Sequence, residues 1–131
     1  MSAESGAAAL GPVLVVDDDP EILNFLSILL ELEGIDARLA TSAAQAEKLL
    51  ERPEMPRLIL LDIAMPDRDG LDFCRGIKAQ ARYRDIPVFV VSARPGRDVI
   101  DRAHDAGALR FIRKPFDNAE LVARIVEQLT I

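Results

Sequence analysis

Val13-Leu14-Val15-Val16-Asp17-Asp18-Asp19-Pro20 is the stretch on which the fold turns. Its four consecutive apolar residues do not alternate with polar ones, the mark of a strand buried on both faces, and the acids end it. From Pro20 to Glu33 the apolar residues Ile22, Leu23, Leu26, Leu29 and Leu30 return at helical spacing, and Gly34 stands where a helix C′ glycine belongs. The same alternation continues outward. A short strand over Ile35 to Leu39 leads to Ser42-x-x-Gln45, a capping-box pattern opening a helix that runs to about Glu51. Pro53 and Pro56 bracket a loop before the second strongly buried run, Leu58 to Leu61. A third helix starts near Gly70 and turns Leu71, Phe73, Cys74 and Ile77 inward. Pro87 introduces the strand Val88 to Val91, Arg97 to Ala106 is a helix stopped by Gly107, and Phe111 to Arg113 is a last short strand. Asp117 or Asn118 caps a final helix with Leu121, Val122, Ile125, Val126 and Leu129 on its apolar face. Five strands alternating with five helices predict an α/β domain, a parallel sheet covered on both faces. The Ala-rich residues 1–11 are expected to be a flexible tail, and residues 12–131 the domain.

Bulk properties narrow the function classes. With 131 residues, half of them apolar and 29% charged, the chain suits a single globular domain. A net charge of -6 argues against nucleic acid as a direct partner, because phosphate contacts need clustered Lys and Arg. The lone Cys74 rules out an internal disulfide and a C-x-x-C metal site. No apolar run approaches the roughly 20 residues of a membrane helix, and residues 1–11 lack the basic and apolar regions of a signal peptide. A cytoplasmic protein with no membrane partner is the expectation.

In open parallel sheets ligands gather beyond the carboxyl ends of the strands. Four polar groups or clusters fall there: Asp17, Asp18 and Asp19 after the first strand, Asp62 after the third, Ser92 after the fourth and Lys114 after the fifth. Two like charges about 4 Å apart repel by roughly 4 kcal/mol at an effective dielectric of 20, so converging carboxylates call for a counter-ion. Magnesium suits them, being held by a few carboxylates, retained waters and a phosphate oxygen. A carboxylate such as Asp62 can act as a nucleophile and form an aspartyl phosphate. Lys114 is a mobile point charge for a phosphoryl oxygen, and Ser92 offers a hydroxyl donor.

The runs Val15-Val16-Asp17-Asp18-Asp19-Pro20, Leu61-Asp62-Ile63-Ala64-Met65-Pro66-Asp67-Arg68-Asp69-Gly70, Val91-Ser92-Ala93 and Arg113-Lys114-Pro115-Phe116 resemble the receiver domain of bacterial response regulators. The likeness extends from about Val13 to Leu129. It implies a flavodoxin-like, doubly wound sheet in the order 2-1-3-4-5. It also implies a phosphoacceptor at Asp62, with magnesium (or manganese in its place) held by Asp18, Asp62, the backbone carbonyl of Ala64 and, through water, Asp17. Ser92, Ala93 and Lys114 would bind the phosphoryl group. Ser92 and Phe111 would form the switch, and Ala64 and Arg94 would tune phosphoryl lifetime. The Lys114-Pro115 bond is expected to be cis, aiming the lysine at the site. The resemblance further implies a two-component phosphorelay. The donor would be a histidine kinase or histidine phosphotransfer protein, and the target a downstream effector protein or a linked effector domain absent from this chain. Such a domain is not an enzyme beyond its own phosphorylation and slow autodephosphorylation. Arg110 stands where many DNA-binding members carry acids that pair with an arginine on the last helix. Repulsion between Arg110 and Arg124 is therefore expected to disfavour that dimer.

Plainer readings stand beside these. Asp19 before Pro20 is more readily a helix N-cap than a ligand. Asp69-Gly70 is a turn and helix start, and Asp67 a solvated loop charge. Phe111 is equally core or switch, Cys74 a packed small hydrophobe, and His104 a surface residue. Two other functions fit part of the pattern. A haloacid-dehalogenase-like phosphatase also uses an aspartyl phosphate, magnesium, a hydroxyl and a lysine, and Asp17-Asp18-Asp19 contains its Asp-x-Asp. Glu21 breaks that motif, however, and the chain has no room for a cap domain. A non-phosphorylated docking module of the same fold is opposed by the presence of Asp18, Asp62 and Lys114.

Overall fold

In the computed structural model, which describes residues 10–94 and 96–131, the first strand extends back to Leu10, with Leu10 and Gly11 half-buried. The strands are β1 (Leu10–Val16), β2 (Ile35–Ala40), β3 (Leu58–Leu61), β4 (Val88–Ser92) and β5 (Arg110–Arg113). The helices are α1 (Pro20–Leu32), α2 (Ala43–Leu50), α3 (Gly70–Lys78), α4 (Arg97–Asp105) and α5 (Asn118–Leu129). All neighbouring strands are parallel and the sheet order is β2-β1-β3-β4-β5, the doubly wound arrangement expected. Most of the tail expected over residues 1–11 lies outside the described residues, while Leu10 and Gly11 already belong to β1. The register slips between Leu10 and Val13, where Gly11 has φ +100°.

Alternation along the buried strands divides the core into two layers. Val13, Val15, Leu58, Leu60, Phe89 and Val91 face α1 and α5, meeting Leu23, Leu26, Leu30, Leu121, Ile125 and Leu129. Leu14, Val16, Ile59, Leu61, Val88 and Val90 face the opposite layer of α2, α3 and α4. Each large aliphatic side chain so buried contributes about 1.5–3 kcal/mol before conformational entropy is subtracted. Central strands covered on both faces must be apolar throughout, which is why β1 and β3 were readable as continuous runs.

Side-chain caps fix where four helices begin. Asp19, Ser42, Asp69 and Asp117 accept from the N–H groups of Glu21, Gln45, Leu71 and Glu120 respectively. Asp117, not Asn118, is therefore the last cap. Gln45 reaches one residue further back than a capping box requires, accepting from the Thr41 N–H at 2.7 Å. Gly70 is demanded by close approach: a Cβ there would lie 2.3 Å from the Cα of Ile63. The Gly70 N–H donates to the Ile63 carbonyl at 3.0 Å, and Ala64 bridges Asp69, so the β3–α3 connection closes into a tight loop. Among the described residues no helix is long and apolar enough to cross a membrane.

Candidate functional site

Three polar residues are buried among the described residues: Asp17, Asp62 and Ser92. Each stands at or just past the end of a central strand, on the same edge of the sheet. Their backbones are held by the parallel ladder itself. The Asp17 N–H donates to Ala40 O at 3.0 Å, that of Asp62 to Val16 O at 2.9 Å, and that of Lys114 to Ser92 O at 2.9 Å. The sheet register thus sets the spacing of the site with little help from flexible loops.

The side chains converge. Lys114 Nζ donates to Asp17 Oδ2 at 2.7 Å and to Asp62 Oδ2 at 2.9 Å. The remaining oxygens accept backbone N–H groups: Asp17 Oδ1 from Asp19 at 2.9 Å, and Asp62 Oδ1 from Ala64 at 3.0 Å. Asp18 is exposed, yet one of its carboxylate oxygens lies with those of Asp17 and Asp62 inside a 4.8 Å cluster. One ammonium against three carboxylates leaves the site short of positive charge. An all-oxygen donor set with a carboxylate open to water fits a hard divalent cation that keeps part of its hydration, as magnesium does. Burial pushes the Asp17 carboxyl up and the Asp62 charge adds to this, outweighing its bonds from Lys114 and the Asp19 N–H. Burial alone would lower the Lys114 ammonium, but its hydrogen bonds to Asp17 and Asp62 reverse that and hold it above the ordinary lysine range. Lys114 is therefore a fixed positive charge throughout the physiological range. The Lys114-Pro115 bond is cis, as expected.

The other residues singled out occupy the surroundings. Ser92 Oγ accepts from the Arg94 N–H at 3.0 Å. Ala93 and Ala64 are exposed at the rim, and Arg94 is half-buried. Phe111 is half-buried against the α2–α3–α4 layer, with the Arg113 guanidinium 5.6 Å from its ring centroid.

A family model for the response regulator receiver domain matches residues 13–126. The chain belongs to this family. The receiver domain is 39% identical over 112 residues to the "Heme response regulator HssR" of Staphylococcus aureus, covering 86% of this chain and 48% of that protein. It is 34% identical over 113 residues to the "DNA-binding dual master transcriptional regulator RpaA" of Synechocystis, covering 86% and 46%. The chain thus spans about half the length of these curated relatives. Among solved structures, a CheY-like receiver domain protein of Methanospirillum hungatei superposes with TM-score 0.83 at 27% identity, covering 92% of this chain and 94% of that one. The BeF3-activated receiver domain of Klebsiella pneumoniae RstA gives TM-score 0.83 at 27% identity, covering 92% and 99%. These matches place the receiver domain in two-component signalling. They lend nothing to the phosphatase alternative, whose second aspartate would be Asp19, here used to cap α1.

Two expectations from sequence need correction. Asp67 is not merely a solvated charge, since its two oxygens accept from the Ala43 and Ala44 N–H groups at 3.1 Å each. Arg110 and Arg124 do not simply repel. Glu127 Oε1 lies between them, 3.8 Å from Arg110 Nη2 and 3.7 Å from Arg124 Nε. Glu127 is one helical turn beyond Arg124, a spacing at which opposite charges pair, and that was the signal available in the sequence. His104 is exposed, as expected, with its Nδ1 3.2 Å from the Ala108 carbonyl.

Proposed function

We propose that this receiver domain takes a phosphoryl group on Asp62 from the phosphohistidine of a histidine kinase or phosphotransfer protein, with magnesium bound beside it. The observation that carries the reading is the burial of Asp17, Asp62 and Ser92 at one sheet edge, with Lys114 joined to both carboxylates. Buried polar groups cost stability, and here they are gathered where the fold places ligands. One Asp62 oxygen forms the new O–P bond as the donor's P–N bond breaks, and the departing imidazole keeps the electron pair of that bond. Asp18, Asp62 and the Ala64 carbonyl would hold the metal directly and Asp17 through water. When bound, magnesium neutralises charge on the transferring group. Lys114, already 2.9 Å from Asp62, transfers its hydrogen bond to a phosphoryl oxygen. Ala93 lends its N–H to another oxygen.

Signalling is then a population shift. The Ser92 hydroxyl, now accepting from Arg94 N–H, turns toward the phosphoryl group and draws its loop with it. Phe111 rotates inward, and the surface of α4, β5 and α5 changes for an effector protein or a linked effector domain. Ala64 and Arg94 flank the phosphoryl group and set how fast water removes it. The setting is cytoplasmic, with no direct contact to nucleic acid or membrane.

Incubation with acetyl phosphate, with and without magnesium, followed by intact mass and localisation, tests this. A magnesium-dependent adduct of one phosphoryl group on Asp62, lost in Asp62→Asn, is the expected result. An adduct that persists in Asp62→Asn, or none on the folded wild type, overturns it.

A further inference from the structure

Helix α2 is two turns long, too short to be stable alone. Its first N–H groups have no partners within the helix and need acceptors from elsewhere. Local sequence supplies one, since Ser42 Oγ accepts from the Gln45 N–H at 3.2 Å. The Ala43 and Ala44 N–H groups instead donate to Oδ1 and Oδ2 of Asp67, each at 3.1 Å. The next residue grips the same helix one turn on. Arg68 donates from Nη1 and Nη2 to the two carboxylate oxygens of Glu47, at 2.8 and 3.2 Å. Its guanidinium also lies 5.8 Å from the Phe73 ring centroid on α3.

Both residues sit at the tip of the β3–α3 connection, between Ala64 and Asp69, which bridge one another at its base. The base is what faces the site: Ala64 N–H donates to Asp62 Oδ1 at 3.0 Å. The connection is thus held at one end by the phosphoacceptor and at the other by a helix that contributes nothing else to the site. Neither contact is explained by the chemistry of phosphoryl transfer. Among the described residues, neither Asp67 nor Arg68 is hydrogen-bonded to Asp17, Asp18, Asp62, Ser92 or Lys114.

We infer that Asp67 and Arg68 are positioning residues: by tying the loop tip to α2 they fix the Ala64 carbonyl and so preorganise the magnesium site. The inference rests on the receiver reading above and adds α2 as the support of one ligand. Partners of metal ligands typically change affinity by about 10–100-fold when removed. Ala64 is one ligand of several and the ties are exposed, so loss of Asp67 is expected to weaken magnesium binding by about threefold to tenfold.

The test is a magnesium titration of the full chain followed by two-dimensional amide NMR, comparing wild type with Asp67→Ala, Asp67→Asn, Arg68→Met and Glu47→Ala. Thermal unfolding verifies that each variant is folded at the titration temperature. The expected result is weakened magnesium binding in Asp67→Ala and a smaller loss in Asp67→Asn, which keeps one acceptor oxygen. If Asp67→Ala does not fold, the exposed Arg68→Met and Glu47→Ala carry the same comparison. Unchanged magnesium affinity in the folded variants, with only a lower melting temperature, overturns the inference and leaves Asp67 as a cap for α2, the receiver reading intact. A wild type that binds no magnesium overturns both.

Discussion

Replacing Lys114 with Met keeps most of the side chain's volume and removes only its charge and donors. Asp17 and Asp62 then lose the one cation that bonds them both, while their side chains stay 4% and 10% exposed. Their ligand oxygens lie within 4.8 Å of each other, so at an effective dielectric of 20 their repulsion is about 3 kcal/mol. Removing one partner of a buried pair typically costs 3–5 kcal/mol, and relief of the lysine's own desolvation trims that toward the lower end. Lys114→Met is therefore expected to lose about 2–3 kcal/mol of unfolding free energy in metal-free buffer at neutral pH. On the proposed function, magnesium would counter the same carboxylates. It should therefore stabilise the variant by more than it stabilises the wild type, because in the wild type the ion and Lys114 compete for one cluster. Urea unfolding of both proteins, with chelator and with saturating magnesium, gives the four free energies needed. A variant within about 0.5 kcal/mol of wild type, or an equal gain from magnesium in both proteins, would refute the claim that Lys114 neutralises this site.

Other outcomes follow from individual contacts. Gly70→Ala would place a Cβ 2.3 Å from Ile63 Cα, and a loss of about 3 kcal/mol in urea unfolding is expected, the upper end for overpacking because the clash is with backbone. A loss below about 0.5 kcal/mol would show that the loop opens freely. Cys74 is fully buried, its thiol bonded to the Ala106 carbonyl, and burial pushes its pKa up. Its reaction with an aromatic disulfide reagent should accordingly track global unfolding, and rapid labelling of the native protein would contradict the packing. Although desolvation opposes it, hydrogen bonds from the Ala43 and Ala44 N–H groups hold the Asp67 carboxyl below its ordinary range. A depressed acid contributes stability above its unfolded pKa, about 3.9, and loses it as pH falls through the lower folded value. The stability gap between wild type and Asp67→Asn should then be constant near neutrality and close only below about pH 4. A gap that narrows already near neutral pH would contradict the assigned contact.

Legibility in the sequence followed the range of the interactions concerned. Val13–Val16 and Leu58–Leu61 were readable because burial on both faces forces an unbroken apolar run. Strand ends then located Asp17, Asp18, Asp62, Ser92 and Lys114, because a parallel sheet delivers all its carboxyl ends to one edge. Asp19 was readable as a cap because its partner, the Glu21 N–H, is two residues away. Asp67 was not, because its partners lie on α2, 24 and 23 residues earlier, and nothing near Asp67 hints at them. The Gly70 requirement was hidden for the same reason: a seven-residue separation from Ile63 says nothing of the 2.3 Å approach its backbone must allow. The start of β1 at Leu10 was hidden because Leu10 and Gly11 run on from the small-residue tail, and the pairing of Leu10 with Ile35 lies across a slipped register.

The site itself is the place where the fold departs from its own rules. Elsewhere the central strands bury apolar side chains, and the described core residues are almost all aliphatic or aromatic. At one edge it buries two carboxylates and a hydroxyl instead, and a lysine is held against the carboxylates. Replacing such groups with apolar residues of similar size is often neutral or stabilising, so stability does not account for their presence. What accounts for it is the chemistry left unfinished: an exposed Asp18 aimed into a cluster short of positive charge, and a lysine shared between two acceptors. That arrangement gains most when a divalent cation and an anionic group arrive together, the cation for the carboxylates and the anion for the lysine. The proposed phosphoryl group on Asp62 beside magnesium would satisfy both at once.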